Sequence, residues 1–301
     1  MNRIKNSRKA GLLILLIIYI IATLIGFGIY RLYPNLDTLW RILLADVAAT
    51  IFVWLCGVIL KTASTYDPYW SIQTIVIGVI LLATTNSWNL GNILFTSAIL
   101  IYAVRLTVNF VTTFYSLRYE DWRYKMLREK TGKFYQAINL LGICIFPTFI
   151  VFFASIPYYN YILNDINFQM NQVVGLLVLL SSVALEFVAD KQMHRFIATR
   201  TSKSQMCRTG VWKTSRHPNY LGEIMVWVGI FLVYTFSSPA DWLAYVGFIA
   251  NFLLFKFISI PMAENHYLTY KENYKEYQKE THCLLIFPVG KKDLVEVEDK
   301  A

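Results

Sequence analysis

A chain of 301 residues that is 56% hydrophobic and 16% charged, with a positive mean hydropathy, is not composed like a soluble domain. Lipid is the solvent that suits it. The net charge of +9 then reads as a signal of membrane topology and of attraction to anionic headgroups, and a DNA or RNA partner is not expected.

A spanning helix needs roughly 20 apolar residues, and windows of that kind fall at 10–30, 39–60, 71–86, 92–114, 136–157, 171–189, 219–236 and 241–260. The first is too long for a signal-peptide core and has no small-residue cleavage site, so it is read as a span. The third is the shortest and runs into Thr84, Thr85 and Asn86. Basic residues alternate between the connections. Arg3, Lys5, Arg8 and Lys9 precede the first window, six bases lie in 118–133, seven in 191–216 and six lysines follow the last window, whereas Asn86–Gly91, Pro157–Gln172 and Ser237–Asp241 have none. Because short cytoplasmic loops collect Lys and Arg, this pattern predicts an all-α polytopic bundle of eight spans with both termini in the cytoplasm. The expected division is a two-span segment at 1–60, a membrane domain at 61–290 with cytoplasmic loops, and a charged tail at 291–301.

The common soluble nucleotide and hydrolase motifs are missing, and Cys56, Cys144, Cys207 and Cys283 show no C-x-x-C pairing. His194, His217, His266 and His282 follow no metal-ligand spacing, so no metal is expected. The informative residues are polar ones inside apolar windows, since a charge at the bilayer centre costs about 2.5–3.5 kcal/mol on insertion scales. Asp46 and Arg105 are the deepest and could pair with each other; Glu186, Asp190, Glu223 and Lys256 lie near span ends, where they could snorkel. The densest constellation is Thr209–Glu223, TGVWKTSRHPNYLGE. Pro218 restricts His217 to extended geometry, Asn219 is placed to open the next helix, and Glu223 follows one turn later. Arg216 and the helix start suit a phosphate, leaving Asn219 and Glu223 for a ribose or an amide. Tyr267, Tyr270, Tyr274 and Tyr277 have the spacing of an interfacial helix over that entrance.

The pattern G-x-W-x-x-S-R-H-P-N-Y-x-G-E, with Ala189-Asp-Lys-Gln192 before it and Pro261-Met-x-Glu264 after it, resembles the bacterial DUF1295 membrane family, related to the steroid 5α-reductases. Ser64–Trp70, Arg105-Leu-Thr-x-Asn109 and Glu120–Tyr124 add to the likeness, which covers roughly 60–290. The resemblance implies a helical membrane fold that holds NADPH at its cytoplasmic side and reduces a carbon–carbon double bond of an apolar enone admitted from the bilayer. It implies the bacterial cytoplasmic membrane rather than a eukaryotic endoplasmic reticulum, and it leaves the oligomeric state open. Carried over, Asp190, Trp212, Arg216, His217, Asn219, Tyr220 and Glu223 would sit at the cofactor, with Glu264, Tyr267 and Tyr274 as a downstream acidic-aromatic segment. The reductases have an arginine one turn after their Asp; His194 stands there in this chain, and Arg195 is the substitute. Their catalytic acid and tyrosine, a pair in which the carboxyl supports the hydroxyl that polarises the substrate carbonyl, are matched by Asp67 and by Tyr102 of Tyr102-Ala-Val-Arg105, although Asp67 sits in a different local motif, Asp-Pro-Tyr-Trp.

Arg-His-Pro-x-Tyr-x-Gly is also similar to membrane methyltransferases that use S-adenosylmethionine on isoprenylcysteine or phospholipid amines. Those enzymes carry Glu-Glu where this chain has Ala263-Glu264. A transporter or a noncatalytic membrane scaffold is the remaining alternative; a transporter would use Asp46 and Arg105 as a translocation pair, but no inverted repeat of interrupted helices is visible.

Overall fold

The computed structural model describes residues 5–287, and each apolar window forms a helix in it. The tail at 291–301 lies outside the described residues. Helix α1 (Arg8–Leu32) starts where the Ser7 hydroxyl accepts from the Ala10 amide at 3.3 Å. Asp37 caps α2 (Thr38–Leu60) in the same way through the Leu39 amide at 3.0 Å, and Asn89 caps α4 (Leu90–Thr113) through the Asn92 amide at 2.9 Å. Between α2 and α4 lies α3 (Tyr69–Thr85).

A long rod follows, with α5 (Trp122–Thr131), α6 (Tyr135–Ile138), a π-helical stretch at Asn139–Ile145 and α7 (Phe146–Leu163). Then come α8 (Gln172–Thr199), α9 (Pro218–Thr235) and α10 (Leu243–Leu254), and a second π-helical stretch at Phe255–Ser259 leads into α11 (Ile260–Leu268). The short α12 (Tyr274–Glu280) packs back on the loop before α9. Both π-helical stretches precede a proline, Pro147 and Pro261. A proline cannot donate to the turn before it, and widening that turn is one way a rod continues past it.

Six of these rods are long and apolar enough to cross a membrane. The other two are α3 and α9, so among the described residues eight rods match the eight windows. Helix α3 has only 17 residues because the chain before it folds inward. Thr62, Ala63, Ser64, Thr65 and Tyr66 are all buried, the Ala63 amide donates to Glu120 Oε1 at 3.0 Å, and the Tyr19 hydroxyl donates to the Thr65 carbonyl at 2.8 Å. Helix α9 has 18 residues, but Asn219 and Glu223 in its first turns lower its apolarity.

Helices α8 and α9 form the tightest pair because glycines line their contact. A Cβ on Gly229 would come within 2.6 Å of the Leu179 amide nitrogen, and one on Gly175 within 2.5 Å of that of Val233. Around them the core is rich in aromatic rings, with Phe95, Tyr102, Tyr158, Tyr159, Tyr161 and Trp227 all essentially buried. The outer surface is apolar: Leu24, Ile59, Val104, Leu177 and Leu253 are among its exposed side chains.

The two ends of the bundle differ in chemistry. At one, Lys5 donates to the Leu60 carbonyl at 2.5 Å and Arg8 to that of Val111 at 2.7 Å, tying the start of α1 to the ends of α2 and α4. At the other, carboxyls, amides and hydroxyls make the ties: Asp165 accepts from Ser87 and Asn89, Asn160 donates to Asp241 at 2.9 Å, and Gln172 donates to Ser237 at 2.5 Å. The charge alternation along the sequence is thus a difference between two ends of one body.

Candidate functional site

A cavity of about 650 Å³ opens near the basic end between α3, α4, α5, α7, α8, α9 and the rod of α10 and α11, within the usual range of small-molecule pockets. Both π-helical stretches border it, through Gly142 and Ile143 on one rod and Phe255 and Ile258 on the other. Part of its wall is apolar, with Trp70, Leu106, Ile150, Val151, Leu254 and Met262. Another part is polar and carries Arg105, Asn109, Glu186, Asp190, Glu223 and Asn251. Asp121, Trp122, Arg123 and Tyr267 line its more exposed part, where Trp122 stacks on His266 with ring centroids 3.8 Å apart.

Arg105 organises the polar wall. Its guanidinium binds Glu186 and donates to Asp190 Oδ2 at 2.7 Å. Glu186 and Asp190 are one turn apart on α8, so a single fork reaches both. Three buried polar atoms of this wall have no partner among the described residues: Arg105 Nε, Glu186 Oε1 and Asn251 Oδ1. Buried polar atoms are rarely left unpaired, so these mark where a polar ligand could be held.

Beyond them lies a second cluster. Tyr102 on α4 donates to Glu223 Oε1 at 2.6 Å, and Trp227, one turn on from Glu223, donates to the same oxygen at 2.8 Å. Glu223 borders the cavity, and Tyr102 stands one hydrogen bond behind it, 1% exposed. Both donors converge on one carboxyl oxygen, leaving the other without a partner among the described residues.

Of the residues expected at the site, Asp67, Asp190, Asn219, Tyr220, Glu223 and Tyr267 line this one cavity. The expected pairings differ. Asp67 is bonded by the Tyr124 hydroxyl rather than by Tyr102, and the inward-folded loop explains this, since it turns Asp67 toward α5. Burial pushes the Asp67 carboxyl up to about 6, against the lowering effect of the Tyr124 hydrogen bond. Arg105 pairs with α8 and not with Asp46, which accepts from Tyr69 at 3.1 Å.

The remaining candidates do not line the cavity. Arg195 is exposed and is not part of its lining. The Trp212 indole donates to the Ala189 carbonyl at 3.0 Å and wedges the loop against α8. Arg216 is already occupied: it donates to Glu264 at 2.7 Å, to the Gln278 carbonyl at 2.9 Å and to the Thr281 carbonyl. A guanidinium neutralised in this way is a clasp for the C-terminal segment and not an open phosphate receptor. His217 bonds the same Glu264 oxygen at 3.0 Å and stacks on Tyr220 with centroids 5.2 Å apart. Tyr274 is buried against Tyr267 and Tyr277. The tyrosine-rich segment is two helices broken at Thr269–Asn273, where Asn273 has a positive φ of 52°, so the expected continuous interfacial helix is not formed.

His217, Glu264 and Cys283 bring their ligand-type atoms within 4.8 Å of one another, a grouping that histidine spacing alone does not reveal. Glu264 there is shared among Arg216, His217 and Gln278. The sequence patterns left Trp227 unremarked, named Tyr124 only as part of the family likeness, and allowed Glu186 to be a snorkelling side chain. Its four-residue spacing from Asp190, opposite an arginine in a neighbouring span, was the available signal.

A family model described as "Protein of unknown function (DUF1295)" matches residues 53–281. No curated protein and no solved structure gives a significant match.

Proposed function

The chain belongs to the DUF1295 family, and from that premise and its cavity we propose a membrane-embedded reductase that uses NADPH on a carbon–carbon double bond of a lipophilic enone. The observation that carries the reading is the Tyr102–Glu223 hydrogen bond, set at a cavity lined by both polar and apolar side chains. A greasy substrate could lie along Trp70, Ile150 and Leu254 while its carbonyl points toward Glu223.

The residues present fit the nicotinamide and ribose part of the cofactor. Asn219, Asn251, Arg105 and Glu186 offer donors and acceptors, and Tyr220 and Tyr267 offer flat faces. When bound, NADPH supplies the hydride. The chain's own part is the proton. Glu223, protonated, can give it from its unpartnered oxygen to the oxygen of the developing enolate, and Tyr102 and Trp227 then hold the charge left on the carboxylate. In this arrangement Tyr102 acts through Glu223, whereas the resemblance alone assigned it to the substrate directly and paired it with Asp67.

A second reading has an observation of its own. Five carboxyls (Asp67, Asp121, Glu186, Asp190, Glu223) face the cavity against two guanidiniums (Arg105, Arg123). That balance suits the sulfonium of S-adenosylmethionine better than a run of phosphates, and it supports a membrane methyltransferase.

One experiment separates the two. Purified protein in detergent, heated with each cofactor at about 100 times its dissociation constant, gains about 2.7 kcal/mol of apparent stability from the one it binds. NADPH is expected to raise the melting temperature and S-adenosylmethionine to leave it unchanged. The reverse result rejects the reductase.

A further inference from the structure

A second, smaller pocket lies on the opposite side of α3, between α1, α2 and α3. Its volume is about 80 Å³, room for a small head and the first carbons of one chain and not for fused rings. Small residues make the slot: Ala22 and Gly26 on α1 face Ala45 and Ala49 on α2, and a Cβ on Gly26 would already be 3.3 Å from the Ala45 carbonyl oxygen. Ile72, Val76, Ile77 and Ile80 of α3 close the far side, and Phe27 at the rim is 39% exposed on the lipid-facing surface.

Two side chains do not belong in such a wall. Gln73 is 4% exposed, and neither its Nε2 nor its Oε1 has a partner among the described residues. Asp46 is 3% exposed; its Oδ1 takes the Tyr69 hydroxyl, while its Oδ2 has no partner. Leaving a buried donor or acceptor unmade costs about 1–3 kcal/mol each, and polar groups within membrane spans are rare unless they serve a ligand or a path. The two residues come from different helices and border the same slot.

We propose that this slot binds a single-chain lipid alcohol. Its hydroxyl donates to Asp46 Oδ2 and accepts from Gln73 Nε2, and its unbranched tail lies along α1 and α3 toward Phe27. A hydroxyl is the smallest head that both donates and accepts, as these two atoms require. Helix α1 and the α2 residues of the slot, Asp46 among them, precede the family match at 53–281, so more than half of this site is built by a segment outside the matched region. The proposal is independent of the reductase reading, because none of these residues lines the larger cavity.

The test uses the full chain in phosphatidylcholine nanodiscs with hexadecanol carrying a mid-chain diazirine, photolysed and mapped by peptide mass spectrometry. Label is expected on α1, α2 and α3 around the slot, with unlabelled hexadecanol competing and hexadecane failing to compete. Gln73→Leu should reduce that label about fivefold, the worth of one hydrogen bond. The same variant should melt no lower than the parent, since it removes two orphaned atoms while keeping an apolar side chain in place. The methyl ether of the probe, which cannot donate, should label as weakly. Equal labelling by the ether, no change in Gln73→Leu, stronger labelling by the matching amine, or label confined to the larger cavity would each overturn the proposal.

Discussion

Arg105 is the residue on which most of the polar wall depends. Its charge meets Glu186 and Asp190, and its side chain is 9% exposed. Removing one partner of a buried ion pair costs about 3–5 kcal/mol, because the other charge is left without compensation. Arg105→Ala is therefore expected to lower the yield of folded protein and the melting temperature sharply. Arg105→Lys keeps the charge but loses the fork, so it should fold while weakening whatever cofactor the cavity holds. Tyr102→Phe removes only one donor to Glu223. On the proposed chemistry it should leave cofactor stabilisation intact and slow turnover by about 10²-fold or more; unchanged turnover would remove Tyr102 from the mechanism. Asp67 gives a pH signature. Its folded-state value near 6 lies above the ordinary 3.8, so the native state holds that proton more tightly than the unfolded chain does. The stability it contributes is full below about pH 4 and is lost as pH rises through about 6. Melting temperatures measured from pH 4 to 7 should fall through that window, and Asp67→Asn should flatten the fall.

At the scale of elements, the glycines between α8 and α9 set how closely the cavity's two polar helices approach. Glu186 and Asp190 stand on one and Glu223 on the other, so a wider spacing would pull apart the groups that meet there. Gly229→Ala must push a Cβ toward the Leu179 backbone, which cannot give as a side-chain tip would. It is expected to cost about 1–3 kcal/mol by overpacking. Gly28→Ala, with nothing within 4 Å of its added Cβ, should be neutral or slightly stabilising, as alanine is in a helix. A thermal melt of both variants checks the contrast, and equal losses would reject it. The helices themselves were readable beforehand, because apolar windows about 20 residues long need no tertiary information. The partners of Arg105 and Asp67 were not. Which acid meets which base depends on how rods rotate about their axes, and windows carry no such register. The inward fold of 61–68 was equally hidden, since buried Thr62, Ser64 and Thr65 look like an ordinary polar loop in one dimension. Most of the cavity-lining candidates in the Asn219–Glu223 stretch were legible because their spacing is local to one helix start, whereas the clasp of Arg216 on Glu264 joins residues 48 positions apart.

For the molecule as a whole, the separation of charge between its two ends is what fixes its orientation in a bilayer. The basic end gathers the start of α1 with the ends of α2 and α4 and the loop before α9, while the opposite end is tied by Asp165, Asp241 and their amide and hydroxyl partners. Moving lysines or arginines across the membrane during insertion is disfavoured, whereas the opposite end presents none in its connections at 86–91, 157–172 and 237–241. The cavity opens toward the basic end, so this orientation also decides which compartment would supply the proposed cofactor. The expectation is that the basic end is cytoplasmic, where NADPH is found. A variant lacking the four native cysteines, with one cysteine returned at Ser238 or at Ser202, tests it through a membrane-impermeant maleimide on intact cells and on inverted vesicles. Ser238→Cys should react only from outside the cell and Ser202→Cys only from the cytoplasmic face. Labelling of both from the same side would mean that the rod between them does not cross the bilayer. The α9 rod is the only one between those positions, and its failure to cross would take Glu223 away from any bilayer-borne substrate.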